Sequence, residues 1–563
     1  MTKHTPQDYP NYNLGPLRHP ITTTSPTAQL WFDRGLLWTY AFNHEEAHRC
    51  FTLAAEHDPT CAMAHWGKAY TIGPSYNKQW AFFDESDLHS SIQTAHSALS
   101  HPVSTTTTPL EQALQTALLA RFPPPNTTPP PPHQMSPYNH AYAAAMRPLY
   151  TTNPTNLLIA SLFIESLLCI SPRALWDLDT GAPTGPHTTE ARTLLESFLS
   201  TPETRSHPAI CHLYIHLMEM TTTPELALPA ADRLRTLMPD ASHILHMPTH
   251  IDMAVGDYRR AIDSSQEAIL ADDKFFTSGG GALYIAYRVH NIMTKMYCAL
   301  ISGRMGDAVT AAEKLDEVID ERVLGMKSPA MADWTEGFLG QMGHVYVRFG
   351  KWEEILKLEV PGEGEREVYC CKTANLLYAR GIALSGLGRV EEAEEARRAF
   401  EEARKKVPES RFSNVPVRQR EVLGVASAML EGEVEYRKGN VEGAFAVLRR
   451  AVRLEDGLPY CDPPAWTQPV RHALGGLLLE QGRVEEAERV FREDLGIADG
   501  FPRRKARLGN VWGLHGLHEC LVKLGKWDEA RGIAVQRDVA LGSADVPITT
   551  SCYCRLSAVG KCC

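Results

Sequence analysis

The sequence predicts an all-α protein, a solenoid of helical hairpins wound into a right-handed superhelix with a concave groove. Three observations predict it. A 34-residue unit with small and large residues at fixed positions opens the periodic part of the chain, from Ala28. Units of the same kind recur downstream, separated by Gly-containing turns. The period-two alternation of strands is nearly absent.

Residues 1–26, rich in Thr, Pro, Asn and Tyr, carry no sustained period and read as an arm-like or disordered N-terminus. With Ala28 as position 1, Trp31 falls at position 4, Gly35 at 8, Ala47 at 20, Phe51 at 24, Ala54 at 27 and Pro59 at 32. Small residues at 8 and 20 let two helices approach, and large ones fill the hole between them. A Thr/Pro-rich insertion at 105–132 brackets one short helical stretch, Leu110 to Phe122, and its proline runs read as a surface loop. Helical periodicity resumes at Tyr138 and passes through Leu157 to Leu168.

Downstream, positions 8 and 20 are taken by Gly381 and Ala393, then Gly432 and Ala444 with Leu448 and Ala451. Leu474, Gly475, Ala487 and Phe491 make a third unit, and Leu517 with Ala530 a weaker fourth. Each turn carries Gly before a polar residue: Gly388-Arg389, Gly439-Asn440, Gly482-Arg483 and Gly525-Lys526. Such pairs end one helix and start another. Charged residues become dense only after about Arg304, so the chain is expected to divide into a histidine-rich lobe, 27–303, a charged lobe, 304–545, and a Cys-containing tail, 546–563.

Composition narrows the function classes. A net charge of −11 without a basic stripe gives no attraction to phosphate backbones, so nucleic acid is not an expected partner. Apolar runs stop well short of about 20 residues, so no membrane span is expected. The polar start, Met1 to Pro6, lacks the apolar core of a signal peptide, which points to a cytoplasmic protein. Thirteen cysteines without framework spacing read as mostly reduced, partly buried thiols, with no disulfides expected. The terminal Cys562-Cys563 reads as a frayed tail rather than a lipidation signal.

The candidate site lies between Ala209 and Asp257. At about 100° per residue, His212, His216 and Glu219 fall on one helical stripe, and His243, His246 and His250 on another. Imidazoles where a core helix should carry Leu or Ala are costly unless something holds the ring nitrogens, and a metal ion is the commonest such partner. An i,i+4 pair can share one ion, whereas i and i+7 lie about 10 Å apart along the axis. A site shared between helices, or two metals, is therefore expected. His290 is a further candidate ligand, as are His44 and Glu45, with His207 behind them. Pro248 should kink or restart the second helix. The set suits copper, iron or zinc, with Glu219 as a ligand or general base.

Trp31 to Tyr70 with Ala41-Phe42-Asn43-His44-Glu45-Glu46-Ala47, His207-Pro208 to Glu219, His246-Met247-Pro248-Thr249-His250, Pro463-Pro464-Ala465-Trp466 with Arg471, and Ser551-Cys552-Tyr553-Cys554 resemble a group of long tetratricopeptide-repeat proteins of bacteria and fungi. The resemblance spans nearly the whole chain. It implies an all-helical repeat fold and brings no settled activity with it.

Two functions compete on these residues. One is a metal-dependent enzyme, of oxidoreductase or hydrolase type, acting on a small molecule in the concave groove. The other is an interaction scaffold binding a peptide there, with the histidines merely lining it. Positions 5 and 9 of the first unit are Phe32 and Leu36, so the Lys/Asn/Arg clamp of chaperone-tail adaptors is missing. Gly279-Gly280-Gly281 lacks the preceding strand and the Lys-Ser/Thr of a phosphate loop.

Overall fold

A computed structural model describes residues 9–555, and among these no strand forms. The chain divides into two compact units, residues 1–251 with 267–288 and residues 252–266 with 289–563. The boundary thus falls earlier than the composition shift near Arg304 suggests. The cysteine tail enters the description only as far as Arg555, and Cys562 and Cys563 lie outside the described residues.

The first unit begins with α1 (Pro26–Tyr40), α2 (His44–His57), α3 (Ala62–Ile72), α4 (Glu85–Leu99) and α5 (Pro109–Leu119). It continues with α6 (Ser136–Thr152), α7 (Leu157–Leu168), α8 (Pro186–Ser200), α9 (Pro208–Met218), α10 (Leu228–Leu237) and α11 (Ser242–His246). Three helices, α12 (Pro248–Val255), α13 (Tyr258–Thr277) and α14 (Ile285–Ser302), run across the division.

Caps fix where the first elements start. Ser25 accepts from the Ala28 amide ahead of Pro26, and Asn43 accepts from the Glu46 amide. The Phe51 ring then explains why glycine stands on the facing helices. A Cβ added at Gly35 would lie 2.8 Å from that ring, and one at Gly67 2.4 Å. The close approach read from positions 8 and 24 is thus present, on both sides of one phenylalanine.

Residues 9–25 form no helix but are anchored to the first unit. Tyr9 donates to Glu46 at 2.7 Å and accepts from the Trp38 indole at 2.8 Å. These residues are a pinned arm rather than a disordered lead-in, because two aromatic anchors, Tyr9 and Tyr12, pack on Trp31 and Trp38. In the Thr/Pro-rich insertion the expected short helix is α5, and Pro124 to Thr128 are exposed.

The second unit contains α15 (Met305–Val318), α16 (Glu321–Leu324), α17 (Met331–Thr335), α18 (Gln341–Arg348) and α19 (Trp352–Leu356). Four hairpins follow: α20 (Cys370–Gly386) with α21 (Val390–Lys406), α22 (Gln419–Arg437) with α23 (Val441–Asp456), α24 (Val470–Glu480) with α25 (Val484–Asp494), and α26 (Val511–Lys523) with α27 (Trp527–Ser543). Phe491 repeats the role of Phe51, since a Cβ at Gly475 or Gly516 would approach its ring to 2.5 and 2.3 Å. All four turns close alike. Gly388, Gly439, Gly482 and Gly525 have φ between +70° and +83°, and the residue after each donates to the carbonyl five residues back, as Arg389 does to that of Leu384.

One sequence expectation fails here. Cys552 and Cys554 form a disulfide, their Cα atoms 5.2 Å apart, so the chain is not free of disulfides. Bending the backbone over a single intervening residue brings the two sulfurs within bonding reach. The other described cysteines are buried and outside any disulfide.

Candidate functional site

The two histidine stripes regroup in three dimensions, and Pro248 is the reason. It ends α11 at His246 and starts α12, so His243 and His250 do not share one continuous helix. His243 joins His212 and His216 instead, and one ring nitrogen from each of the three lies within 4.8 Å of the others. His212 Nε2 is 3.1 Å from His243 Nε2. His246 and His250 form their own pair, Nε2 to Nε2 at 2.9 Å, with Thr249 Oγ1 3.4 Å from His246 Nδ1. His290 belongs to the second unit, where it is half-buried.

Glu219 stands between the two groups. It follows the last residue of α9 and is 2% exposed. Its Oε1 lies 3.3 Å from His216 Nδ1, and its Oε2 lies 2.6 Å from His250 Nδ1, off the line of a good hydrogen bond. Burial pushes the carboxyl up, but His250 and His216 together outweigh burial and hold it well below the usual carboxylate range. Glu219 is therefore a carboxylate that orients imidazoles.

Burial, with repulsion from His216, drives His212 well below its ordinary pKa, and burial lowers His216 as well. Both rings are neutral near pH 7. His212 Nδ1 faces the Tyr40 carbonyl at 2.8 Å, and a carbonyl only accepts, so Nδ1 carries the proton and Nε2 the lone pair. The same logic, with the Glu219 carboxylate as acceptor, leaves the lone pair of His216 on Nε2. That nitrogen is buried and has no hydrogen-bond partner.

Phe42 roofs the three histidines. Its ring centroid lies 4.3 Å from His212, 5.7 Å from His216 and 5.5 Å from His243, stacked on the last two. Phe42 also has φ +55°, in the left-handed region. It donates to the Thr39 carbonyl while Asn43 donates to that of Trp38, the same closure that glycine makes in the second unit. A side chain there costs about 1–2 kcal/mol, which packing on the imidazoles must offset.

A cavity of about 20 Å³ adjoins His212, lined also by Tyr40, Phe42, Tyr70 and Glu165. That is room for one water and no more. The remaining candidates lie apart from the three imidazoles. The half-buried His44 packs edge-on against Phe42, 5.9 Å ring to ring, and burial pushes it down to about 3. Glu45 accepts from the Leu283 amide at 3.0 Å. His207 precedes α9 and packs edge-on against Tyr40, pushed down to about 4 by burial.

A much larger opening lies elsewhere in the first unit. A groove of about 570 Å³ runs between α2, α3 and α4, lined by Glu56, His65, Lys68, Gln93, Thr94 and His101. Glu56, Gln93 and His101 are exposed, and the His101 ring stacks on His65 at 4.1 Å.

A family profile described as Tetratricopeptide repeat matches residues 470–505, which hold α24, α25 and the segment after them. The chain carries a tetratricopeptide repeat there. Solved structures similar to the chain include several at 12% identity. They include the yeast Tom70 crystal structure, at TM-score 0.31 over 88% of this chain and 96% of that one, and the APC/C hetero-tetramer Cut9–Hcn1, at 0.28 over 92% and 86%. A monomeric mutant of IFIT1 with Gppp-AAAA reaches 0.32 over 91% and 96%. No curated protein matches the chain by sequence.

Two features of this repeat protein escape sequence reasoning. Phe42 had a signal, since it stands just before an N-capping Asn43, where the later turns carry Gly. The other is a second cluster, Glu336 with the adjacent Cys370 and Cys371. Glu336 is fully buried and accepts from the Cys371 and Lys372 amides at 3.0 and 2.9 Å, so its carboxylate caps the start of α20. Nothing in local spacing links residues 34 apart in the chain.

Proposed function

We propose that this tetratricopeptide-repeat protein is an interaction scaffold that binds an extended segment of a protein partner. The observation that carries the reading is where the room lies: about 570 Å³ in an open groove of mixed charge, against about 20 Å³ beside the histidines. Glu56 and Lys68 offer opposite charges to a peptide backbone and its side chains, and Gln93 offers an amide donor and acceptor. A cytoplasmic setting goes with this reading. The test is capture of partner proteins by the full chain and by a Glu56→Lys, Lys68→Glu variant. Loss of about 1.4 kcal/mol of contact energy lowers affinity about tenfold. Capture that is specific for the wild type and falls by that factor supports the groove. Identical capture by both counts against it.

A second reading, the metal-dependent enzyme of oxidoreductase or hydrolase type acting on a small molecule, is supported by the convergence of His212, His216 and His243. Copper, iron or zinc would supply the Lewis acid or redox centre, and Glu219 the base. The small cavity weighs against it, because a substrate would first have to displace Phe42. Turnover lost on Glu219→Gln would favour this reading over the scaffold.

A further inference from the structure

We propose that His212, His216 and His243 hold a single divalent transition-metal ion, zinc by their chemistry with copper as the competitor, and that this ion clamps α9 to α11. The inference goes beyond the scaffold reading and needs neither the groove nor a partner. It differs from the enzyme reading in giving the ion a structural role.

Three independent features support it. First, the tautomers are set from outside. The Tyr40 carbonyl and the Glu219 carboxylate each occupy an Nδ1, at 2.8 and 3.3 Å, which turns the lone pairs of His212 and His216 inward on Nε2. A carboxylate or carbonyl behind each ligating imidazole is how metal-binding histidines are oriented. Second, His216 Nε2 is buried without a hydrogen-bond partner, in a ring only 2% exposed. Leaving such a nitrogen empty wastes a desolvated acceptor. Third, the spacing fits. Tetrahedral bonds of about 2.1 Å put neighbouring ligand nitrogens about 3.4 Å apart. The His212–His243 separation is 3.1 Å, and all three nitrogens already lie within 4.8 Å.

The ligand class follows from the donors. Three imidazole nitrogens are borderline bases that suit zinc and copper, whereas magnesium and calcium want oxygen. The cavity of about 20 Å³ beside His212 has room for one water as a fourth ligand. Phe42, stacked on His216 and His243, keeps bulk solvent from the rings.

The experiment uses the full chain, purified without a histidine tag and stripped by a chelator. Zinc, copper(II) and cobalt(II) are added separately, with stoichiometry read by elemental analysis, cobalt geometry by visible absorption, and Tm with and without metal. The expected result is one ion per chain, an intense tetrahedral cobalt spectrum and a higher Tm with zinc. His216→Asn should weaken binding at least tenfold, and Glu219→Gln should weaken it by about 10–100-fold through the orientation of His216. His89→Ala, on an exposed histidine of the first unit, should leave binding unchanged. Should the variants unfold, the cobalt spectrum and stoichiometry of the wild-type chain still decide the matter. No bound metal under stoichiometric loading, or equal binding by His216→Asn and wild type, overturns the proposal. Bound metal that leaves Tm unchanged overturns the clamp.

Discussion

Replacing Phe42 by glycine and by alanine should give an order of stability opposite to the one helix propensity suggests. Phe42 is 5% exposed, so truncating it to Ala removes a buried ring and leaves a cavity, at a cost of about 3–5 kcal/mol. Alanine also keeps the penalty of the φ +55° backbone, which glycine escapes by about 1 kcal/mol. Phe42→Gly should therefore cost about 2–4 kcal/mol and lie above Phe42→Ala. Gly388 calibrates the strain alone, because it has φ +73° and a Cβ there would meet nothing within 4 Å. Gly388→Ala should cost about 1 kcal/mol with no packing term. Urea unfolding followed by tryptophan fluorescence, with m-values compared among the variants, gives the ordering. An alanine variant as stable as the glycine variant, or two Phe42 variants within 1 kcal/mol of wild type, would refute the claim that packing on the histidines sustains a strained turn.

Gly475→Ala should destabilise the chain by about 1–3 kcal/mol even though alanine is the better helix former, because its methyl would meet the Phe491 ring at 2.5 Å; thermal unfolding checks this, and a gain in Tm would contradict it. Acid should destabilise both units well above the carboxylate range. Burial pushes His207 and His344 each to about 4, while in the unfolded chain both titrate near 6.5. Below pH 6.5 the unfolded state binds the extra protons, so stability is intact above that value and is lost as pH falls towards 4. From pH 7 to 5 each histidine should remove about 2 kcal/mol, and His344→Gln should flatten its share of the slope in a pH series of denaturation midpoints. A flat profile between pH 7 and 5 would show that these rings reach solvent in the folded state.

Much of the fold was legible because the repeat rests on local spacing. Gly35 with Phe51, and Gly475 with Phe491, hold the same close approach at the same separation of 16 residues, and a left-handed glycine closes each of the four later turns. Pro248 announced the restart of its helix. The site was legible as a set of residues and not as a grouping. Helical phase placed His243 with His246 and His250, but the break at Pro248 turned it towards His212, a partner 31 residues away. Nor could spacing assign Glu219 to both groups, since its contact with His250 depends on how α9 meets α12. The Cys552–Cys554 bridge was missed because the scattered cysteines show no framework pattern.

Site-specific crosslinking from the groove bears most directly on the scaffold reading. A photoreactive residue in place of Gln93 lies in the groove, and one in place of Gln112, on the exposed side of α5, lies outside it. The scaffold reading predicts discrete protein adducts from position 93 that are absent from position 112 and diminished by Lys68→Glu. No adduct from 93, or the same adducts from both positions, would contradict it.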